Sequence, residues 1–207
     1  MPEEIPIEGA CRLADRGVIR ARGADAAAFL QGQLTNDVAS LDSGAARLAG
    51  FCSAKGRLQA TFIVWRPALD EFLLACPTSV LAATLRRLSM FVLRAKCKLS
   101  DASDEIALHG VVGRATAAGM IGDAAVWQVR PRGAATAIRL PDAAGTSRAL
   151  VAAPTSSEAP FAAALSLPIA TWHWLEVESG IVTIEAATVD RFVPQMVNFE
   201  LVGGVDF

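Results

Sequence analysis

Arg47-Leu48-Ala49-Gly50-Phe51-Cys52-Ser53-Ala54-Lys55-Gly56-Arg57-Leu58-Gln59-Ala60-Thr61-Phe62-Ile63-Val64-Trp65 is the stretch on which the fold turns. Arg47–Ser53 and Arg57–Trp65 are largely apolar and β-compatible, and Ala54-Lys55-Gly56 between them has the length and composition of a hairpin loop. Glu71–Cys76 supplies a third strand. From Thr78 onward Leu81, Leu85, Leu88, Phe91 and Val92 recur at helical spacing, with Arg86 and Arg87 on the opposite face. A helix so patterned packs on a sheet.

Working toward the N-terminus, Arg16–Arg22 reads as a strand and Gly23-Ala24-Asp25 as a turn, with Asp25 placed to cap a short helix over Ala26–Gln33. Thr35-Asn36-Asp37 ends that helix with turn chemistry. Toward the C-terminus, Lys96–Leu99, Glu105–Val112, Ala125–Val129, Thr136–Leu140 and Arg148–Ala152 are strand candidates. Helices are expected near Ala115–Met120, Ser156–Leu165 and Thr171–Ser179, the last closed by Gly180. Strands joined by short turns and interleaved with few helices indicate an α+β fold with antiparallel sheets, since a doubly wound parallel sheet needs a helix after nearly every strand. Val182–Phe207 is long and irregular, which in a compact domain points to function.

The 207 residues suffice for one large domain or two small ones. A net charge of −2 and a pI near 5.7 provide no overall basic field, which argues against tight nucleic-acid binding by this chain alone. Apolar runs such as Ala60–Trp65 fall far short of the roughly 20 residues of a membrane span. The acidic Met1-Pro2-Glu3-Glu4 start is unlike a secretory signal, so the expected address is cytoplasmic, with no membrane partner. Cys11, Cys52, Cys76 and Cys97 match no common zinc or redox spacing and are expected to be reduced, mostly buried thiols. His109 and His173 are isolated, so neither is assigned to a metal, and no phosphate-binding glycine loop is present.

Three segments, in this order and spacing, resemble the YgfZ/GcvT folate-binding family. They are Gly23-Ala24-Asp25 through Leu30-Gln31-Gly32-Gln33-Leu34-Thr35-Asn36-Asp37-Val38, then Cys52-Ser53-Ala54-Lys55-Gly56-Arg57, then Trp172 through Glu178-Ser179-Gly180 with Phe192-Val193-Pro194-Gln195. The resemblance implies two interdigitated α+β domains, expected here as residues 1–50 plus 170–207 and residues 51–169. In YgfZ-like proteins a Lys-Gly-Cys-Tyr-x-Gly-Gln-Glu signature and a C-terminal barrel follow the segment resembling Phe192–Phe207. This sequence ends at Val205-Asp206-Phe207, where that signature should begin, and its four cysteines lie elsewhere.

Two departures favour the YgfZ branch, which supports iron-sulfur proteins. Aminomethyltransferases of glycine cleavage carry an Asp-Asp pair where this sequence has Ala60 and Thr61, and neither replacement can shuttle a proton near neutral pH. The first Asn of their Asn-Ala-Ser-Asn motif corresponds to Pro77. The implied ligand is tetrahydrofolate or a derivative, and the implied partners are iron-sulfur or radical tRNA-modifying proteins.

Five residues are carried over as folate-site candidates: Trp172, Glu178, Asn36, Lys55 and Arg16. Glu178, at a helix end where an anion is disfavoured, can accept the donor pair of a pterin, although a solvated helix-end glutamate explains it too. Trp172 aligns with a tryptophan implicated in folate binding, yet either Trp172 or Trp174 could be core. Arg16 stands where the family site has a second tryptophan and could pair with folate's glutamyl carboxylates. Lys55-Gly56 is also a simple hairpin turn, and Asn36-Asp37 could shape a pocket or merely a turn. Two other functions remain open, a one-carbon transferase using Glu178 or Glu176, and a scaffold that binds no ligand.

Overall fold

The computed structural model describes residues 7–113, 119–157 and 165–206. The chain forms two compact units, each built from two stretches of sequence: Met1–Ala14 with Glu105–Gly180, and Asp15–Asp104 with Ile181–Phe207. Both contain a five-stranded antiparallel sheet, so the α+β expectation holds. The boundaries differ from those expected from sequence. A division at residue 50 would cut through a strand, Ala46–Cys52, and separate Arg16–Arg22 from the strand Glu71–Pro77 to which it is hydrogen-bonded.

In the second unit the strands are β2 (Arg16–Arg22), β3 (Ala46–Cys52), β4 (Leu58–Ala68), β5 (Glu71–Pro77) and β6 (Lys98–Asp101), ordered β3-β4-β5-β2-β6. The turn between β3 and β4 closes with the Gly56 N–H donating to the Ser53 carbonyl at 2.8 Å. Gly56 has φ +72° with open space around its α-carbon, so backbone conformation, not crowding, calls for glycine there. Helices α1 (Ala26–Gln31) and α2 (Thr78–Ser89) contribute Phe29, Leu30, Val80, Leu81 and Leu88 to an apolar cluster with Ile19, Phe62, Phe72 and Leu74 of the sheet.

Two local expectations change here. Asp25 precedes α1 but makes no capping bond, because its Oδ2 accepts the Lys96 backbone N–H at 2.7 Å. Helix α2 stops at Ser89, before Phe91, which is exposed, and Val92 reaches the core from beyond the helix.

In the first unit the strands are β1 (Gly9–Arg12), β7 (Ile106–Val112), β8 (Val129–Arg132), β9 (Ala135–Ala143) and β10 (Thr146–Pro154), ordered β1-β7-β10-β9-β8. β8 begins where the sequence suggests a strand should end, since Trp127 adopts φ +68° and turns the chain. Alternation along the strands divides the sheet into two faces. Val111, Ala149, Val151 and Ala153 share a cluster with Met120 and Ile121. Gly110 and Arg148 belong to the other face, toward helix α3 (Ile169–Glu178). The helices expected over 115–120 and 156–165 lie largely outside the described residues.

Candidate functional site

Residues 181–206 form no strand; side chains of the second unit stitch them to the β3–β4 hairpin. The Thr35 hydroxyl donates to the Gly204 carbonyl at 2.6 Å and accepts the Gly50 N–H at 2.8 Å, while the Asp206 N–H donates to the Thr35 carbonyl at 2.9 Å. Asn36 donates through Nδ2 to the carbonyls of Leu48 and Gly203, each at 2.7 Å. Further along, Leu58 donates to the Phe192 carbonyl and the Ser53 hydroxyl to Asp190, both within 2.8 Å. Phe199 is fully buried, packed so closely on Gly204 that a β-carbon there would stand 2.6 Å from the ring.

These bonds leave an open cavity of about 470 Å3 lined by Leu34, Thr35, Cys52, Gly56, the run Val193-Pro194-Gln195, and Val205 with Asp206. Leu34 and Thr35 come from the first motif segment, Cys52 and Gly56 from the second, and Val193-Pro194-Gln195 from the third. Three stretches whose residues lie up to 161 positions apart, from Leu34 to Gln195, therefore line one cavity. Cys52 is half-buried and burial raises its thiol pKa, which keeps the sulfur protonated and weakens it as a nucleophile.

The five candidates separate into distinct settings. Asn36 is buried beside the cavity wall with both amide protons committed to carbonyls, which makes it a latch for the Gly203 segment. Lys55, next to Gly56, is exposed in the hairpin turn at the cavity's edge. Arg16 lies elsewhere in the second unit and is not free for a ligand carboxylate: its Nη1 stands 3.6 Å from Glu185 Oε1, while Glu185 Oε2 accepts the Ser79 hydroxyl at 2.9 Å.

Trp172 and Glu178 share α3, in the first unit, separated by about 9 Å of helical rise at 1.5 Å per residue. Trp172 is 1% exposed and lies against Gly110, where any β-carbon would overlap the indole. The Arg148 guanidinium sits over the same ring, 5.4 Å from its centroid. Trp172 thus seats the helix and offers no open face for a stacked ring. The accessible indole belongs to Trp174, 46% exposed. Glu178 is exposed in the last turn and makes no ion pair with a described residue.

Arg148 and Gly110 escaped the sequence reading, although a glycine within a strand and an arginine within an apolar strand are both signals of close packing and of a buried polar group. Arg148 is fully buried; its Nε donates to the Pro141 carbonyl at 3.1 Å, and Nη1 and Nη2 have no hydrogen-bond partner. Burial lowers its pKa to about 10, against the favourable charges of Glu176 and Asp142.

At the positions of the transferases' aspartate pair, Ala60 is buried and the Thr61 hydroxyl accepts the Ile184 N–H at 3.0 Å. Both serve structure. Pro77, at the transferases' first Asn position, immediately precedes α2. Among the described residues no three His, Cys, Asp or Glu side chains group to hold a metal and no disulfide joins the four cysteines, of which Cys76 is buried and the others half-buried.

The GCVT N-terminal domain family matches residues 11–122, more than half of the chain. The chain belongs to the YgfZ/GcvT family. It is similar to the tRNA-modifying protein YgfZ of Edwardsiella ictaluri, 34% identical over 95% of this chain and 61% of that protein. It is likewise similar to the tRNA-modifying protein YgfZ of Colwellia psychrerythraea, at 25% identity over the whole chain and 64% of that protein. The chain therefore spans about three-fifths of the length of these curated relatives. Among solved structures, the glycine cleavage system aminomethyltransferase T of Bartonella henselae superposes with a TM-score of 0.62 at 18% identity, covering 72% of this chain and 43% of that one. At that identity the YgfZ/GcvT likeness to the transferase is one of fold. No helix among the described residues is long and apolar enough to cross a membrane.

Proposed function

We propose that this chain is the folate-binding part of a YgfZ-type protein that supports tRNA modification by maintaining the iron-sulfur clusters of radical tRNA-modifying partners. The observation that carries this reading is the meeting of the first two family segments with Val193-Pro194-Gln195 of the third around one cavity in the second unit. The names of the relatives support the tRNA-modification aspect. Thr61, at the position of a transferase aspartate, supports binding over aminomethyl transfer, since its hydroxyl is occupied by a backbone amide and has no usable proton near neutral pH.

In this reading tetrahydrofolate or a derivative is the ligand, held in the second unit's cavity between the hairpin residues Cys52 and Gly56 and the run Val193-Pro194-Gln195. Lys55 contributes positive charge at the cavity's edge, and Asn36 holds the loop that shapes the cavity. Arg16 acts through Glu185 and not on the ligand.

Calorimetric titration with tetrahydrofolate and 5-formyltetrahydrofolate tests the proposal. Saturable binding is expected, weakened about 2- to 5-fold by Lys55→Ala, the range for losing an exposed ion pair. Absence of saturable heat with either folate overturns the folate reading. Failure of a folate-binding chain to restore tRNA modification in cells lacking their own YgfZ relative, with the relative itself as positive control, overturns the rest.

A further inference from the structure

Between Glu71 and Asp101 the chain carries no aspartate or glutamate, yet Arg86, Arg87, Arg94, Lys96 and Lys98 fall within that span. The overall charge of −2 conceals this local excess. Five arginines elsewhere are paired with carboxylates: Arg16 with Glu185, Arg20 with Glu71, Arg22 with Asp70, Arg47 with Asp37, Arg139 with Asp142. None of the five cations forms an ion pair with a described residue, and all five are exposed. Nearby carboxylates are already occupied. Asp25 accepts the Lys96 backbone N–H, Asp70 pairs with Arg22, and Asp101 accepts from Ser103.

The cations fall in the C-terminal half of α2, the segment 90–97 and the start of β6, an edge strand on which α2 packs. Two of them, Arg86 and Arg87, line a groove of about 530 Å3 whose wall is otherwise mostly apolar, with Val80, Ala83, Ala186 and Val189 beside Gln59 and Ser79. Glu185, adjacent to that wall, is taken up by Arg16 and Ser79. Past the groove, Met90, Phe91 and Leu93 are exposed. Leu93 is 88% exposed at φ +37°, a conformation costly for a branched side chain and one that holds it away from the core.

We infer that this face binds single-stranded RNA, the five cations neutralising phosphates and Phe91 stacking on a base. Five unpaired cations, two of them lining a groove, fit a polyanionic strand, and an exposed ring in the same stretch fits an unstacked base. The concavity beside Arg86 and Arg87 favours a strand over a flat lipid surface. The inference goes beyond the folate reading and does not depend on it.

The test is fluorescence anisotropy with a fluorescein-labelled 12-nucleotide RNA of mixed sequence, without folate, from 50 to 300 mM KCl. The proteins are wild type, Arg86→Glu/Arg87→Glu, Phe91→Ser and, in the first unit, Arg12→Glu, each checked for wild-type circular dichroism and urea midpoint. Micromolar binding is expected at low salt. The slope of log affinity against log salt should flatten by about 1.4 in the double variant, from about 0.7 per phosphate contact on a single strand. Phe91→Ser should weaken binding about tenfold with the slope unchanged, as loss of one stacked base predicts, and Arg12→Glu should behave as wild type. No binding at 50 mM KCl, or an unchanged slope in the double variant, overturns the inference. So does binding to polyglutamate or phosphatidylserine vesicles as tight as binding to RNA, since either would assign the face to an acidic protein or a membrane.

Discussion

Asn36 spends both of its amide protons on backbone carbonyls, one in β3 and one 167 residues further along the chain. Replacing it with alanine leaves the Leu48 and Gly203 carbonyls without those donors, so Asn36→Ala should destabilise the protein by about 2–3 kcal/mol in urea unfolding, at roughly 1 kcal/mol or more per lost bond. Asn36→Asp should cost at least as much, because it sets an anion against the same two oxygens. A midpoint unmoved by either change would remove the latch from the account. Arg148 presents the opposite case, a buried charge with two nitrogens lacking hydrogen bonds. Exchange of a buried ion for a hydrophobe of similar volume is often neutral or stabilising, whereas truncation leaves a cavity. Arg148→Met is therefore expected within about 1 kcal/mol of wild type, and Arg148→Ala about 2–4 kcal/mol below it. Comparable losses in both would mean that the charge itself supports the fold.

Helix α3 shows how much of an element can be read before its structure is known. Its extent was legible, from Thr171 to the Gly180 stop, and the observed helix spans Ile169–Glu178. Which tryptophan faces inward was not, because the helix is apolar on several faces and helical spacing alone cannot choose between Trp172 and Trp174. Gly110 decides it. Only a strand residue without a side chain admits the indole, and β7 supplies that residue from 62 positions away. The β3–β4 hairpin, by contrast, declared itself locally through two apolar runs and a Lys-Gly turn. Its observed ends lie close to those expected, apart from a β4 that runs on to Ala68. The cavity beside it was not legible, since its walls are joined by bonds such as Thr35 to Gly204 that no local pattern encodes. Gly110→Ala is the change that tests α3's seat: the added carbon must displace the indole, and a loss of about 3 kcal/mol or more is expected, at or above the upper range for overpacking. Trp172 fluorescence should shift to the red in the folded variant as the ring meets water. Unchanged stability and emission would show that α3 tolerates another position.

On the scale of the whole molecule, stability responds to every proton that folding binds or releases, and the alkaline side is unusually open to inspection because the chain has no tyrosine. Cys76 lies on β5 in the main apolar cluster of the second unit, and burial pushes its thiol up to about 12, with Arg16 acting weakly against the shift and Asp101 for it. A thiol whose folded pKa exceeds its unfolded value keeps its proton longest in the native state. Its contribution is therefore fully present below the unfolded pKa of about 9 and drains away as pH rises toward the folded value. Within that window the unfolding free energy should fall by about 1.4 kcal/mol per pH unit from this group alone. Urea unfolding of wild type and Cys76→Ala at pH 7, 8, 9 and 10 isolates the effect. The gap between the two proteins should be constant up to about pH 8, then change by about 1.4 kcal/mol by pH 10 as wild type loses stability faster. A residual slope will persist in the variant, because burial also raises the Cys52 and Cys97 thiols. Parallel curves through pH 10 would mean that Cys76 reaches water in the folded protein, and the apolar cluster around β5 would then have to be more open than its packing implies.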